Sequence, residues 1–279
     1  MPAVKVVTDS ASDIPPTMAK ELGITIVPCS VHFGQRTYRD GVDLSSDEFF
    51  AELAKSPVLP TTSQPSVGLF EEAYRRLTKE TEQIISIHLP EKLSATINSA
   101  RLAAQALPEI EIAIVDSGQV SMSQGWLAII AARAARQGKS LADIVALVRD
   151  AIPRLRLVAM LDTLEYIRRG GRIGRVAAML GTLLKVKPLV QFLNGEALPL
   201  ENARTRRGAL RRLAEIAADM APFEELAIMH ANAPVVAQEL AGMLAHLHPL
   251  ERIVVSQVGA ILGTHVGPGA VGICCVLER

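Results

Sequence analysis

The sequence has few of the residues that build disulfide scaffolds, aromatic stacking surfaces or membrane spans. Among 279 residues there are three cysteines, and aromatic residues make up 4% of the chain. Three cysteines cannot form a disulfide framework, so we expect Cys29, Cys274 and Cys275 to be buried thiols. No apolar run approaches the length of about 18 residues that a membrane span needs. Because the strand-like segment Val4–Val7 begins without a secretory leader, we expect a soluble, cytoplasmic protein.

The whole chain has a net charge of zero, but its segments do not. Basic and acidic residues number 29 each, which excludes a uniformly basic nucleic-acid-binding protein. Residues 1–153 carry 14 basic and 18 acidic side chains, residues 154–212 carry 13 and 4, and residues 213–279 carry 2 and 7. The middle segment therefore has a net charge of +9. Such a segment is either a solvated arginine-rich face or a docking site for a phosphate or an acidic partner.

Nucleotide-binding and hydrolase motifs are missing or incomplete. Residues 267–272 fit G-x-G-x-x-G, yet they lack the following helix and acidic residue that dinucleotide binding requires. The chain contains no P-loop sequence. Residues 121–125 approach the hydrolase elbow around Ser123, but a serine stands where its first glycine belongs. Carboxylates after the first strand have no histidine or cysteine beside them, so no metal site is predicted.

Apolar residues make up 49% of the chain, and in the first half they alternate between strand and helix patterns. Strand-like runs lie at residues 4–7, 24–28, 83–88 and 111–115. Helical runs lie at residues 15–22, 46–54, 67–77, 94–106, 123–136 and 141–152. Strands separated by helices of this length predict a mostly parallel sheet covered by helices, with ligands at the carboxyl ends of its strands.

The second half follows a different pattern. Strand-like runs lie at residues 157–161, 187–193 and 197–203. Helical runs lie at residues 164–169, at 176–184, and from a cap at Thr205 to about Met220. Asn194-Gly195 separates two of the strands and is a strong hairpin signal, so a mixed sheet with antiparallel pairs is predicted. We therefore predict an α/β protein with two domains, residues 1–153 and residues 154–279.

Three loop segments carry hydroxyl or imidazole groups suited to an oxygen-rich ligand. Thr62 lies in a hydroxyl-rich segment bounded by prolines, Ser94 opens a predicted helix, and His265 precedes a glycine-rich turn. Each can instead have a structural role, because Ser94 suits a helix N-cap and an isolated histidine is more often structural. Asp13, which follows the first strand, is predicted to cap the next helix.

The densest positive cluster is residues 166–175, where Arg168, Arg169 and Arg172 flank two adjacent glycines. Arginine side chains offer forked donors that suit phosphate or carboxylate groups. Nucleic acid is a competing ligand for this cluster. Against it, Tyr166 is the only aromatic residue nearby, so a base-stacking platform is missing.

Taken together, these segments resemble the DegV family of bacterial fatty-acid-binding proteins. The matching segments, in chain order, are VTDS at 7–10, TSQP at 62–65, LS at 93–94 with NSA at 98–100, VDS at 115–117, DTLEY at 162–166 with GGRI at 170–173, and His265 with GPGA at 267–270. The resemblance spans essentially the whole chain. Each motif alone is weak, but their joint order and spacing are specific.

The resemblance implies a long-chain fatty acid of about 16 to 18 carbon atoms, buried between two α/β domains. It implies that Thr62, Ser94 and His265 bind the carboxyl head group, without a cofactor. It also implies a non-catalytic subunit that presents this carboxyl group to a partner fatty acid kinase, which forms an acyl phosphate. Arg172, with Arg168 and Arg169, is then expected to face that partner or its phosphate.

Two departures and two rival hypotheses accompany this resemblance. Ala95 and Ile97 stand where the family usually has glycine and an aromatic residue, so we expect altered ligand position or chain-length preference. The alternative function is a serine-dependent esterase or acyltransferase that uses Ser94 or Ser123 with His265. Nucleic-acid binding through residues 168–212 is a third hypothesis, and it predicts affinity that falls steeply with salt.

Overall fold

The computed structural model describes residues 4–172, 174–179 and 186–279. Its strands are β1 (Val4–Asp9), β2 (Ile24–Val27), β3 (Ser30–Phe33), β4 (Arg36–Arg39), β5 (Thr61–Ser63), β6 (Gln83–His88), β7 (Glu111–Asp116), β8 (Leu155–Met160), β9 (Lys187–Leu193), β10 (Glu196–Ala203), β11 (Phe223–His230), β12 (Val254–Gln257) and β13 (Val271–Leu277). Its α-helices are α1 (Pro16–Leu22), α2 (Ser46–Lys55), α3 (Val67–Leu77), α4 (Thr96–Gln105), α5 (Ser121–Arg136), α6 (Leu141–Ala151), α7 (Glu165–Arg169), α8 (Arg206–Met220), α9 (Pro234–Leu244) and α10 (Ala260–Val266). Short 3₁₀ helices cover Ser10–Ser12, Ile152–Arg154, Gly174–Met179 and Leu250–Arg252.

The first sheet is parallel throughout and has the strand order β2-β1-β6-β7. Its central strands are buried on both faces, which is why Ile84, Ile85 and Ile87 follow each other almost without interruption in β6. This arrangement confirms the prediction of a parallel, helix-covered sheet in the first half of the chain.

The second sheet is mixed and has the order β10-β9-β8-β13-β11-β12. Its pairs are antiparallel except for β11 and β12, which run parallel. The predicted hairpin joins β9 to β10. Asn194 and Gly195 both have positive φ, 52° and 78°, as a two-residue turn of the favoured twist requires. The prediction of a mixed sheet in the second half is therefore confirmed.

Helix α5 packs between the two sheets, against β1 and β6 of the first and β11 and β13 of the second. A helix in this position is buried on nearly all sides, which explains the apolar, alanine-rich run from Trp126 to Ala132. Trp126 Nε1 donates a hydrogen bond to the Cys274 carbonyl oxygen at 3.0 Å. Cys274 faces this central core, whereas Cys275 faces the core under α8 and α9. With Cys29 also buried and free, the prediction of buried thiols is confirmed.

A third, small antiparallel sheet has the order β4-β3-β5, and the sequence patterns did not predict it. β4 and β5 carry mostly polar side chains and so lack the apolar alternation that marks longer strands. β3 does alternate, with Val31 and Phe33 buried, but it is only four residues long. The sequence pattern had placed Thr61–Ser63 in a loop. The sheet matters for the site because β5 carries Thr62 in fixed register opposite Val31 of β3.

Some predicted boundaries differ from the structure. The helix expected to open at Ser94 begins at Thr96. The first four residues of the helix expected at 176–184 belong to a 3₁₀ helix, Gly174–Met179. The remainder of that prediction, like Ile173, lies outside the described residues. The domain boundary expected after Pro153 falls in the 3₁₀ turn before β8, and the division into two domains there stays a prediction. Among the described helices, none combines the length and apolar character needed to cross a membrane.

Candidate functional site

A mostly aliphatic cavity of about 420 Å³ lies between the first and second halves of the chain. Leu93 and Val120 line it from the first half, and Phe192 and Leu262 line it from the second. Its volume falls within the range of about 300 to 1,000 Å³ that is typical of small-molecule sites. The cavity thus provides room for an apolar ligand at the junction of the two sheets.

Thr62 and His265 meet at the wall of this cavity. Thr62 is the middle residue of β5, and His265 lies in the last turn of α10. Thr62 Oγ1 and His265 Nε2 are 3.2 Å apart, although 203 residues separate them in the sequence. The fold therefore brings together two of the three residues expected at a head group. Their binding of a carboxyl group stays a prediction.

Ser94, the third residue of this prediction, also lines the cavity. It lies just before α4, where its Oγ is 2.9 Å from Thr96 Oγ1 and accepts a hydrogen bond from Thr96 N at 3.3 Å. These contacts fix the hydroxyl at the start of a helix, where free main-chain N–H groups favour an anionic ligand group. The prediction that Ser94 is the N-cap is wrong, because the N-cap of α4 is Ala95 and has no side-chain hydrogen bond. The Ser94 hydroxyl instead lies one residue earlier, on the cavity wall.

The imidazole of His265 is neutral at physiological pH. Burial, with a smaller contribution from the positive charge of Arg172, lowers the pKa of His265 to about 4. His265 Nδ1 is buried and has no hydrogen-bond partner among the described residues. A buried unpaired N–H group costs more than an unpaired lone pair, so we assign the proton to Nε2. Nε2 then donates to Thr62 Oγ1, which leaves the threonine proton free for a ligand oxygen.

The arginine cluster divides into a surface part and a cavity part. Arg168 Nη2 is 2.8 Å from Glu165 Oε2, and Arg169 forms an ion pair with the same carboxylate. Arg172 instead donates from Nη1 to the Gly170 carbonyl oxygen at 2.9 Å and lines the cavity. All three guanidinium side chains are exposed. Arg172 is therefore the member of the cluster that joins the surface to the site.

The serine residues of the rival hydrolase hypothesis lack the geometry of a nucleophile beside a base. Ser123 is fully buried, does not line the cavity, and donates to the Arg156 carbonyl oxygen at 3.2 Å. Ser94 contacts Thr96, as described above. Within the described residues, the ring hydrogen bond of His265 goes to Thr62 and not to a serine. The site therefore gives no support to serine-dependent hydrolysis.

Two buried carboxylates hold the start of α10, and the prediction that Asp13 caps α1 is wrong. Asp13 has a positive φ of 49° and accepts hydrogen bonds from Ser121 Oγ at 2.6 Å and Gly259 N at 2.8 Å. Asp40 accepts from Ala260 N at 2.9 Å. These long-range contacts outcompete local capping, which passes to Pro15 without a side-chain bond. Burial raises the pKa of Asp13 to about 7.

A buried polar network at the ends of β1 and β6 was also missed from the sequence. Asp9 Oδ2 accepts hydrogen bonds from His88 Nδ1 at 2.9 Å and from Gln124 Nε2 at 3.0 Å. His88 Nε2 is 2.7 Å from Ser86 Oγ, which in turn is 2.9 Å from the Tyr74 hydroxyl. These five side chains are buried and none lines the cavity. The network therefore holds the strand ends that lead into the site, and the Thr8-Asp9-Ser10 sequence was its available signal.

Comparison with known proteins identifies the family of this chain. The model of the DegV family matches residues 3–278. A DegV domain-containing protein from Streptomyces coelicolor is 39% identical over 97% of each chain. The chain belongs to the DegV family.

Solved structures of DegV family members share the whole fold. A DegV family protein from Thermus thermophilus, described for its fatty acid binding, matches with a TM-score of 0.91 and 31% identity over 99% of each chain. DegV from Bacillus subtilis, a fatty acid binding protein, matches with a TM-score of 0.89 and 35% identity over 100% of each chain. The pairing of a parallel sheet with a mixed sheet is therefore the fold of DegV proteins.

Within this DegV fold, the two departures from the family pattern have different positions. Ala95 lines the cavity beside Ser94, whereas Ile97 is fully buried and lies outside the cavity lining. The Ala95 methyl group can therefore contact a ligand directly, whereas Ile97 can act on it only through the residues between them. The described part of the chain contains no group of three His, Cys, Asp or Glu side chains that could hold a metal ion.

Proposed function

We propose that this DegV family member binds a long-chain fatty acid in the cavity and presents its carboxyl group to a partner kinase. The observation that supports this most directly is the contact of Thr62 with His265 at the wall of a mostly aliphatic cavity. Polar groups at one wall and methyl groups elsewhere suit an amphiphile with a single polar end. The fatty-acid-binding relatives from Thermus thermophilus and Bacillus subtilis support the same class of ligand.

The acyl tail supplies most of the binding free energy in this proposal. Leu157, Ala159 and Ile261 are among the side chains that face the cavity. Burying about 14 methylene groups at about 0.8 kcal/mol each contributes at most about 11 kcal/mol. The loss of translational and conformational freedom reduces that figure. Enough remains for a fatty acid to stay bound through purification.

The head group is held by single hydrogen bonds in this proposal. The Thr62 and Ser94 hydroxyl groups each offer one proton, and Arg172 adds a positive charge at the cavity wall. A bidentate arginine contact would occupy both carboxylate oxygens. Hydroxyl donors instead leave an oxygen accessible, which suits a carboxyl group that must react with a phosphoryl donor.

The partner kinase supplies the chemistry. It transfers a phosphoryl group from its nucleotide to a carboxylate oxygen of the bound fatty acid, which gives an acyl phosphate and the dephosphorylated nucleotide. Arg168, Arg169 and Arg172 are exposed and provide positive charge for docking the kinase or its phosphate, and Arg172 is close enough to His265 for its charge to act on the imidazole. Three free, buried thiols suit a reducing compartment, so we place this protein in the cytoplasm. In this proposal it is a non-catalytic carrier that needs no cofactor of its own.

The experiment that tests the head-group assignment compares delipidated wild-type protein with the variant Thr62→Val, Ser94→Ala. Palmitate and stearate are titrated into each protein by calorimetry. We expect the double variant to bind at least about a hundredfold more weakly, because it loses two hydrogen bonds to a charged group and each is worth about 1.5 to 3 kcal/mol. Unchanged affinity in a folded double variant would show that these hydroxyls do not bind the carboxyl group.

A further inference from the structure

Gly170 lies against the imidazole of His265. It ends α7 with φ −70° and ψ −7°, which are ordinary values for a residue at a helix end. A Cβ atom at this position would lie 2.2 Å from His265 Nδ1 and 2.9 Å from Cε1. Both distances are far inside van der Waals contact. Since the backbone conformation itself suits alanine, the need for glycine arises from the space that the imidazole occupies.

A second glycine, Gly267, lies at the same interface between α7 and α10, with the roles of the two helices exchanged. Gly267 ends α10, and a Cβ atom there would lie 2.2 Å from Cδ2 of the Tyr166 ring on α7. Helix α7 therefore places Tyr166 against Gly267, while α10 places His265 against Gly170. The position of the imidazole thus depends on α7 as well as on its own helix.

We propose that Gly170 is a positioning residue for the head-group site, because the space beside its Cα keeps the His265 imidazole in contact with Thr62. The partnerless His265 Nδ1 is the ring atom nearest to the position that a Cβ at residue 170 would take. A larger residue at position 170 turns the ring away and breaks the hydrogen bond of Nε2 with Thr62 Oγ1.

The same contact links the basic surface to the site. Arg168 and Arg169 are exposed on α7, the helix that Gly170 ends. A partner that docks on these arginines and displaces α7 therefore also displaces the His265 imidazole. The inference rests on the proposed function only for the identity of the ligand that Thr62 holds, since the contact between Gly170 and His265 is present without one.

The test uses the full chain and the variant Gly170→Ala, with Gly242→Ala as the matched control. Gly242 lies in α9 and has no atom within 4 Å of the position that a Cβ would take. The imidazole of His265 is titrated by NMR in each protein. In Gly170→Ala we expect its pKa to rise from about 4 toward the ordinary value of 6.5, because the displaced ring gains solvent. Gly242→Ala leaves the titration unchanged.

Fatty acid binding supplies the second readout. We expect palmitate affinity to fall by the same factor in Gly170→Ala, in His265→Ala and in the double variant, about tenfold to a hundredfold for one lost polar contact. Additive losses in the double variant would overturn the proposal, because Gly170 would then act without His265.

The two readouts separate failure of this proposal from failure of the proposed function. An unchanged His265 titration in Gly170→Ala overturns the positioning role, whatever the ligand. A shifted titration with unchanged palmitate binding supports the positioning role and refutes the head-group assignment of His265. If Gly170→Ala lowers the melting temperature, we expect His265→Ala in the same chain to restore it, because the displaced ring is the source of the clash; no restoration contradicts the proposal.

Discussion

Replacing Asp13 by asparagine tests how the two halves of the chain are held together at α10. Burial raises the pKa of this carboxyl group from 3.8 to about 7, against the opposing effect of its hydrogen bonds from Ser121 and Gly259. In the unfolded chain the group keeps its ordinary pKa, so the folded protein binds the proton more tightly. Its contribution to the free energy of unfolding is therefore fully present below a pH of about 4 and is lost as the pH rises to about 7.

The magnitude follows from the size of the shift. A difference of one bound proton between the folded and unfolded states changes the free energy of unfolding by about 1.36 kcal/mol per pH unit. Because the folded group is already half ionised at pH 7, it lowers the free energy of unfolding by about 2.3 kcal/mol between pH 5 and pH 7. The Asp13→Asn variant cannot titrate, and an amide can still accept from Gly259 N and donate to Ser121 Oγ. We therefore expect the stability of the variant to depend less on pH over this interval, by about that amount.

Urea unfolding at pH 5, 6 and 7, followed by circular dichroism, measures the difference between the two proteins. Asp43→Asn is the control, because Asp43 is exposed and its hydrogen bonds from Arg39 lower its pKa to about 2, so it does not titrate in this interval. Parallel stability curves for wild type and Asp13→Asn would refute the reasoning, since the buried carboxyl group would then not change its ionisation on folding.

Three further predictions concern binding, docking and stability. Thr62→Val should weaken binding of a fatty acid about tenfold to a hundredfold, and binding of the matching fatty alcohol much less, because the lost hydroxyl contacts a charged oxygen; Thr61→Val, at the exposed neighbouring position, is the control in the same calorimetric assay. Reversing Arg168 and Arg169, which are exposed and do not line the cavity, to glutamate should slow acyl-phosphate formation by the kinase and leave lipid affinity intact; loss of lipid in extracts would refute that division of roles. Trp126→Phe should lower the free energy of unfolding by about 1 to 3 kcal/mol in urea titrations, because a buried carbonyl loses its donor, and an unchanged value would mean that this bond contributes nothing.

Regular elements could be predicted from the sequence because their causes are local. The isoleucine run of β6, the Asn194-Gly195 turn and the Thr205 cap of α8 each carry their signal within a few neighbouring residues. A strand as short and polar as β5 has no apolar alternation by which the sequence could predict it. The pairing of β5 with β3 then depends on contacts that no sequence window contains.

The site could be predicted in its residue types and not in its geometry. The motif resemblance pointed to Thr62, Ser94 and His265, and the structure places all three on one cavity. The groups that hold them were missed, because Asp13 and Gly170 act on residues far along the chain. An aspartate just before a helix usually caps that helix. The residues around Asp13 in the sequence give no sign that its carboxylate accepts a hydrogen bond from Gly259 N instead.

Extraction of the purified protein with organic solvent, followed by mass spectrometry, tests the central claim most directly. We predict that a fatty acid of about 16 to 18 carbon atoms is recovered in near-stoichiometric amount, because apolar burial of about 0.8 kcal/mol per methylene retains it through purification. Protein that yields no acyl chain, and that after delipidation binds neither palmitate nor stearate, would contradict the assignment of the cavity to a fatty acid.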